Sequence, residues 1–382
     1  MSLAELAHEL RNLRKSYPAF VAGGSLSTGE VPVFVYHTIK REEFARDLQF
    51  LRENGYRTLS MPEYLAVMRG ESEPGNKAVL LTIDDARSSV WHTAFPLLLE
   101  YKCRATVFVI TGWTPEHPAR QRAEVFAPGL DPDRDGSICS WDELRRMHDS
   151  GWVSIESHSS LHRRVFVDRE LRGIIARSAN FSPLAPVHGA YLEPGLDPRQ
   201  YPPDHYVGLP LFGEDAFFVD RPRYRVDRDA LESFRRKVRQ LGEKSLPLAR
   251  RGLAMQARSL IPDSAFTMID LAEAERQMAD DISIARDLLR ERLGDQGVGL
   301  TLCLPFTLGG EAVVRVCKAV EVEALFWGVR VDRQYNRPGM DLWTSVRLKS
   351  DFVQRLPGAG RKVLSSIYLA KIGRRLRGER PY

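Results

Sequence analysis

Short apolar runs alternate along the chain with longer segments in which apolar residues recur every three or four positions. A short apolar run bounded by turn residues predicts a buried β-strand, and the three-to-four spacing predicts a helix with one apolar face. The predicted strands are VPVFVYH (31–37), AVLLTIDD (78–85), ATVFVI (105–110), WVSIESH (152–158), GLTLCLPF (299–306) and EALFWGV (323–329). The predicted helices between them are REEFARDLQFLRENG (41–55), MPEYLAVMRG (61–70), SVWHTAFPLLLEYK (89–102), SWDELRRMHDSGW (140–152), AEAERQMADDISIARDLLRERLG (272–294) and EAVVRVCKAVE (311–321).

Strand and helix follow one another in β/α order over most of the chain. That order predicts an α/β protein with a parallel sheet and right-handed crossovers, either open or closed into a barrel. The helix at 140–152 also has a local start signal, because Ser140 with Glu143 three residues later is typical of a capping box.

A long interruption of this order runs from about 168 to 266. Its middle is rich in Pro and Gly and has no sustained apolar period, which indicates an insertion rather than another repeat. Such an insertion can act as a lid or a substrate wall, and a surface elaboration or a dimer contact is the alternative interpretation. We therefore predict an N-terminal helical extension (1–30), a barrel that contains the insertion (31–348) and a basic tail (349–382).

Composition and charge narrow the class of protein. The chain has 382 residues, is 43% hydrophobic and carries a formal net charge of +5, which is typical of a globular protein. Most basic residues are interleaved with acids, so we expect no nucleic-acid partner. Two more one-sided stretches, 221–251 and the tail, are candidates for contact with a phosphate-bearing substrate or an anionic membrane. The oligomeric state is left open.

Targeting signals and cysteine usage predict the compartment. No apolar run approaches the roughly 20 residues of a membrane span, and the start of the chain lacks the apolar core of a secretory signal. We therefore expect a cytoplasmic protein with peripheral membrane contact as an option. The cysteines form no CxxC pair, which fits a reducing compartment, and we predict that they are buried apolar residues. They are Cys103, Cys139, Cys303 and Cys317.

A pair of adjacent acids follows one predicted strand. The run 78–83 delivers Asp84 and Asp85 to the carboxyl end of that strand, where α/β folds place their sites. Neighbours on an extended chain point to opposite sides, so the two carboxylates can take different roles. A pair of turn-forming or helix-capping aspartates is the structural alternative.

Two histidines follow another predicted strand. His158 and His162 are four residues apart, and on one side of a helical turn this spacing lets both imidazoles bind a single divalent ion. A polar surface pair is the alternative for the histidines alone. Together with a carboxylate from another strand end, they predict an open site with room for water, suited to zinc or another borderline divalent metal.

These segments together resemble the polysaccharide deacetylases with a NodB homology domain. TIDDA (82–86) is similar to the TFDDG motif of that family, and HSSLH (158–162) matches its H(S/T)xxH motif. Further similar segments are VFVYH, LSMPEYLAVM, SWDELRRMHDSGW and GLTLCLPFTLGG. The resemblance covers roughly 31–162 and 272–348 and leaves the insertion and both ends unmatched.

The resemblance implies a fold, a metal ion and roles for four residues. The fold would be a distorted, seven-stranded (β/α) barrel. Asp84 would be the general base, and Asp85, His158 and His162 would hold one divalent ion, with zinc expected and cobalt or nickel as alternatives. The activity would be hydrolytic removal of acetyl from an N-acetylated sugar of the GlcNAc type, in a glycan or in its lipid- or nucleotide-linked precursor.

The chain departs from the family pattern in two places that bear on catalysis. Cys303 stands where many members carry an arginine, which removes one expected support of the site. No histidine follows His205, so the late histidine that usually serves as general acid has no counterpart. His37, at the end of the first strand, is the substitute that we predict, and a purely structural strand-end histidine is the alternative.

The substrate side of the site is predicted from residues near two later strand ends. Pro305, Phe306 and Trp327 are candidates, and the two aromatic rings could stack on a sugar or simply belong to the core. Two other functions stay open from the sequence. One is hydrolysis of a non-sugar C–N bond on the same fold, and the other is a non-catalytic barrel that binds a glycan or a partner.

Overall fold

The structure is a computed structural model that describes residues 17–75, 77–120, 137–175, 189–192, 203–241 and 261–376. Its strands, in chain order, are β1 Val33–Tyr36, β2 Arg57–Thr58, β3 Ala78–Ile83, β4 Ala105–Val109, β5 Val153–Ser157, β6 Arg164–Phe166, β7 Gly173–Ile174, β8 Pro210–Leu211, β9 Glu214–Ala216, β10 Arg223–Val226, β11 Phe266–Ile269, β12 Thr301–Cys303, β13 Ala324–Phe326 and β14 Leu348–Lys349. Its α-helices are α1 Ala19–Ala22, α2 Arg41–Glu53, α3 Met61–Met68, α4 Phe95–Tyr101, α5 Trp141–Asp149, α6 Arg228–Leu241, α7 Leu271–Leu293, α8 Glu311–Ala319 and α9 Leu364–Leu376.

The main sheet is parallel and has the strand order β13-β12-β5-β4-β3-β1-β14, with β2 paired to β3. Helices follow most of these strands and cover the outer face, so the predicted distorted (β/α) barrel of seven strands is confirmed. All six predicted strands are present, each shorter than its apolar run. The strands are short because the flanking residues turn away at the rim of the barrel.

The two ends of the sheet approach each other through the chain just before β14. Ser345 forms a parallel bridge with Phe326 of β13, and its carbonyl accepts a 2.8 Å hydrogen bond from the Trp327 amide. Three residues later, Leu348 pairs with Phe34 of β1. A single segment therefore contacts β13 at one edge of the sheet and, through β14, pairs with β1 at the other.

Local sequence signals set the helix boundaries. Ser140 accepts from the Glu143 amide while the Glu143 carboxylate accepts from the Ser140 amide, so the predicted capping box of α5 is confirmed. The same reciprocal pair of bonds forms between Ser60 and Glu63 at the start of α3. The longest helix, α7, ends at Gly294 because this residue adopts a left-handed φ of 68°.

Alternation along each strand separates an inner from an outer core. In β3, Val79, Leu81 and Ile83 pack outward with the covering helices, whereas Ala78 and Leu80 pack inside the barrel. Thr82 and Asp84 continue the inner row, so the carboxylate points into the mouth of the barrel. The four cysteines are buried, as predicted, and none of them forms a disulfide within the part of the chain that the structure describes.

The predicted insertion contributes β9 and β10 to a small antiparallel sheet with the order β11-β10-β6-β9, and it forms a two-stranded ladder of β7 and β8. The strand β6 lies just before the predicted insertion, and β11 begins at its last residue. Parts of the predicted N-terminal extension, insertion and basic tail lie outside the described residues, and the division into these three parts stays a prediction. Among the helices that the structure describes, none combines the length and the hydrophobicity that crossing a membrane requires.

One buried carboxylate outside the barrel mouth predicts a pH-dependent stability. Asp47 of α2 accepts from the Tyr36 hydroxyl (3.0 Å) and from the Gln354 side-chain amide (2.5 Å). Burial raises the pKa of Asp47 from 3.8 to about 7. A raised pKa means that the folded protein binds this proton more tightly than the unfolded chain, so stability is lost as the pH rises from about 4 to 7.

We expect Asp47→Asn to remove this loss. Measured by urea unfolding, the free energy of unfolding of the variant should improve relative to wild type by on the order of 3 kcal/mol between pH 4 and pH 7.5. The difference should be level above pH 8. A difference that does not change with pH contradicts the assignment.

Candidate functional site

The two acids after β3 face the same cluster of side chains. Asp84 continues the strand, and its amide donates to the Tyr36 carbonyl (2.9 Å). Asp85 and Ala86 then adopt left-handed φ values of 69° and 51°. The expectation that the neighbouring carboxylates point to opposite sides is therefore wrong, because the chain stops being extended at Asp85. His158 Nε2 lies 4.0 Å from Asp84 Oδ2 and 3.6 Å from Asp85 Oδ1.

A buried arginine holds Asp84. The Arg347 guanidinium donates to both carboxylate oxygens of Asp84, at 2.6 and 2.9 Å, in a two-pronged geometry. Burial by itself raises the pKa of Asp84, but Arg347 and two neighbouring histidines outweigh it and hold the pKa well below its ordinary value. Asp84 is therefore an ionised carboxylate with a fixed orientation.

Sequence reasoning missed Arg347. It lies just before β14, and its side chain points into the barrel, where it reaches Asp84. The only hint in the sequence is Cys303 on β12, which stands where the family resemblance predicts an arginine. Arg347 supplies a guanidinium to the site from another part of the chain. Cys303 Sγ lies 3.6 Å from Asp84 Oδ2, so the thiol and the guanidinium contact the same carboxylate from two strands.

The histidines are brought together by a turn that is not helical. Ser159 and His162 have positive φ values of 70° and 50°, so the prediction of a helical turn is wrong. The Ser159 hydroxyl accepts from the His162 amide (2.9 Å), and Asp281 of α7 accepts from the Ser160 amide (3.0 Å). The two imidazole centroids are nevertheless 4.8 Å apart.

A hydrogen bond fixes the orientation of His158. Its Nδ1 lies 2.9 Å from the Cys303 carbonyl oxygen, and since a carbonyl can only accept, Nδ1 carries the proton. With the proton on Nδ1, an uncharged ring has its lone pair on Nε2, which lies 3.6 Å from Asp85 Oδ1. This arrangement is the usual one for a histidine that binds a metal ion.

Asp85, His158 and His162 fit a single metal ion. One donor atom from each lies within 4.8 Å of the other two, and one carboxylate with two imidazoles is a donor set that leaves positions open for water. Burial raises the pKa of Asp85, but three histidines and Arg87 lower it below its ordinary value. Burial lowers the pKa of His162 to about 3, so its ring is neutral.

A second group of donors, Asp84, His158 and Cys303, is equally close but suits an ion less well. Both oxygens of Asp84 already accept from Arg347. Burial raises the pKa of the Cys303 thiol well above its ordinary value, and a protonated thiol is a poor ligand. The first group is therefore the better metal centre.

Three of the other predicted site residues, His37, Phe306 and Pro305, lie near the carboxylates and histidines. His37 Nε2 lies 3.8 Å from Asp84 Oδ2, and burial lowers the pKa of His37. Phe306, held at a φ of 58°, contacts the His162 ring at 4.5 Å between centroids, while Arg164 lies 4.1 Å above the Phe306 ring. Pro305 is buried beside it.

Trp327 is not brought to this cluster. Its ring packs in the outer core, its Nε1 donates to the Trp343 carbonyl (2.8 Å), and Arg330 covers it at 4.5 Å. Only 7% of the residue is exposed, which leaves no free face for a sugar. Alternation explains this position, because Phe326 takes the inner side of β13 and turns Trp327 outward.

Fold and site together define a (β/α)-barrel protein whose carboxylates and imidazoles gather at the carboxyl ends of parallel strands. Residues 71–176 match the family model of the polysaccharide deacetylases. The resemblance that the sequence motifs indicated is thereby confirmed.

Curated deacetylases are similar in sequence to about a third of this chain. The poly-beta-1,6-N-acetyl-D-glucosamine N-deacetylase of Escherichia coli (strain K12) is 32% identical over 119 residues, which are 31% of this chain and 16% of that enzyme. The enzyme of the same name from Staphylococcus aureus (strain MSSA476) is 24% identical over 123 residues, 32% of this chain and 37% of that enzyme. The matched region thus spans well under half the length of these curated relatives.

Similarity of fold extends further than similarity of sequence. The BpsB deacetylase domain from Bordetella bronchiseptica aligns with a TM-score of 0.53 over 85% of this chain and 96% of that domain, at 17% identity. At this identity the comparison shows the barrel fold.

Proposed function

We propose that this protein is a metal-dependent hydrolase that removes acetyl from an N-acetylated sugar of the GlcNAc type. The observation that carries the proposal is the grouping of Asp85, His158 and His162. Beside this group lies a second carboxylate, Asp84, which is paired with the Arg347 guanidinium. The adjacent acids thereby have separate surroundings, one suited to a metal ion and one suited to a proton acceptor. The family match over 71–176 supports the same reaction class.

The chain's own residues account for the proton transfers of amide hydrolysis. A zinc or similar ion bound by Asp85, His158 and His162 would supply an acidic water and polarise the acetyl carbonyl. Asp84, kept ionised by Arg347, accepts a proton as the water oxygen forms its bond to the carbonyl carbon. The C–N bond then breaks, the amine nitrogen receives a proton, and a free amine and acetate leave. We assign that donation to His37, whose Nε2 lies 3.8 Å from Asp84 Oδ2. His37 would take over the proton that Asp84 has accepted and pass it to the amine nitrogen, so that both residues end the reaction as they began it.

The proposed substrate is a glycan or its lipid- or nucleotide-linked precursor. Two curated relatives are named for poly-beta-1,6-N-acetyl-D-glucosamine, which makes β-1,6-linked GlcNAc the first substrate to try. Phe306 is partly exposed next to the His162 ring, which supports its proposed role of packing against the sugar.

The test combines metal content with acetate release. We expect about one zinc-like ion per chain by elemental analysis of protein purified without chelator, and acetate release from β-1,6-linked GlcNAc oligomers. His158→Ala/His162→Ala should lose the ion and lower the rate at least about a hundredfold. The matched control is His117→Ala/His148→Ala, which removes two imidazoles outside the site.

Two results would overturn the proposal. One is wild-type protein that takes up no zinc, cobalt or nickel, which favours the non-catalytic barrel. The other is a metal-loaded protein that releases no acetate from any N-acetylated sugar but cleaves a non-sugar amide.

A further inference from the structure

The C-terminal helix α9 is attached to the barrel by one of its faces. Ile367 is buried in the outer core, and Lys371 lies 4.4 Å above the Phe352 ring. Lys371 and Arg374 also pair with Asp351, at 3.3 and 2.6 Å. Residues 367, 371 and 374 follow helical spacing, so this face is fixed against the Ser350–Arg355 turn.

The opposite face of α9 carries large apolar side chains that are exposed. Leu369 is 68% exposed and Ile372 is 52% exposed, with Tyr368 beside them at 37%. At 100° per residue these three side chains lie within an arc of about 100° around the helix. A stripe of Leu, Ile and Tyr turned away from the protein costs solubility unless another apolar phase covers it.

The charge of the chain is concentrated in the same segment. The whole sequence has 55 Lys and Arg against 50 Asp and Glu, and residues 361–382 contain seven of the former and one of the latter. Residues 1–360 therefore have 48 against 49, a formal charge of −1. The entire positive excess of the protein thus belongs to the segment that contains the exposed apolar stripe.

We propose that α9 is a membrane-docking helix that lies in the surface of an anionic phospholipid bilayer. The apolar stripe would enter the boundary between headgroups and acyl chains, while cations of the segment 361–382 contact lipid phosphates. Tyrosine at the edge of the stripe suits this boundary because its ring is apolar and its hydroxyl is polar. A protein partner would have to be both apolar and acidic, whereas an anionic bilayer offers both properties over its whole surface.

Vesicle binding tests this proposal with the full chain. We expect flotation with vesicles of phosphatidylcholine containing roughly 30% phosphatidylglycerol, little binding to pure phosphatidylcholine, and release at high NaCl. Leu369→Ser/Ile372→Ser should weaken binding at least about tenfold. Arg375→Gln/Arg377→Gln/Arg380→Gln should weaken binding by on the order of a hundredfold, because each cation near an anionic surface contributes about 1 kcal/mol, which is roughly fivefold, and three are removed.

A matched control separates the stripe from general hydrophobicity. Met268→Ser/Leu271→Ser removes two side chains that are 63% and 57% exposed on another part of the surface, and it should bind vesicles like the wild type. Thermal unfolding followed by circular dichroism checks that every variant is folded.

Three outcomes would overturn the proposal. They are absence of binding to anionic vesicles, equal loss in the control variant, and a wild-type dimer in sedimentation that Leu369→Ser/Ile372→Ser converts to monomers. The last outcome would assign the stripe to a second copy of the chain. We expect acetate release from a soluble oligomer to be the same in the α9 variants as in the wild type, so a failure here is distinct from a failure of the proposed function.

Discussion

Arg347→Met is expected to lower the free energy of unfolding by about 3–5 kcal/mol, because it leaves the Asp84 carboxylate buried without its cation. Both residues are almost completely inaccessible, and their two short hydrogen bonds are made inside the barrel. The loss is thus a desolvation penalty rather than the loss of a surface ion pair, whose contribution is usually below about 1 kcal/mol. Urea unfolding monitored by tryptophan fluorescence measures the change.

The double variant Asp84→Asn/Arg347→Met separates charge from packing. Removing both charges should recover about half or more of the lost stability, since no buried ion is then left unpaired. A control is Arg276→Met, which removes an exposed arginine from α7 and should change stability by less than about 0.5 kcal/mol. Equal destabilisation by the single and the double variant would show that Arg347 acts through its bulk and not through its charge.

The second large effect concerns the division of roles between the adjacent acids. Asp84→Asn should lower the rate of acetate release by about 10²–10⁴ while the metal content stays that of the wild type, because a proton acceptor is lost and no ligand is. Asp85→Asn should lower metal content and rate together, since an amide oxygen is a weaker ligand than a carboxylate. Elemental analysis and acetate release are measured on the same preparations.

A control variant and a contradicting outcome complete the comparison of Asp84→Asn with Asp85→Asn. Asp287→Asn, on the exposed side of α7, changes one carboxylate far from the barrel mouth and should leave both readouts unchanged. If Asp84→Asn loses the metal ion as completely as Asp85→Asn does, the two carboxylates act as a shared ligand pair and the separate roles are wrong.

The sequence predicts those parts of the structure that depend on local patterns. The strand ending in Asp84 follows from an apolar run, and the α5 capping box follows from Ser140 and Glu143, so both could be placed without a structure. The closeness of His158 and His162 also followed from their spacing. The turn that joins them did not, because left-handed φ values at Ser159 and His162 are set by tertiary contacts such as the bond from the Ser160 amide to Asp281.

Other features depend on long-range geometry that no local pattern records. Arg347 stands in an unremarkable stretch, and its role appears only when β14 lies beside β1. Trp327 was predicted to contact the sugar because it is an aromatic residue at a strand end. In the structure, the alternation of side chains along β13 directs its ring into the outer core. Phe306 was predicted only as a candidate for sugar contact, and its position beside the His162 ring is known from the structure.

The ion pair of Asp84 and Arg347 joins positions that are 263 residues apart. During synthesis from the N-terminus, the strand carrying the acid is made long before the segment carrying the base. Until that segment arrives, the barrel cannot bury Asp84 without the full cost of an isolated charge. We therefore expect a nascent or prematurely terminated chain to keep an open barrel mouth, with the candidate site assembled only after translation has passed β14. Proteases that select open chains would accordingly remove fragments in which this site is incomplete.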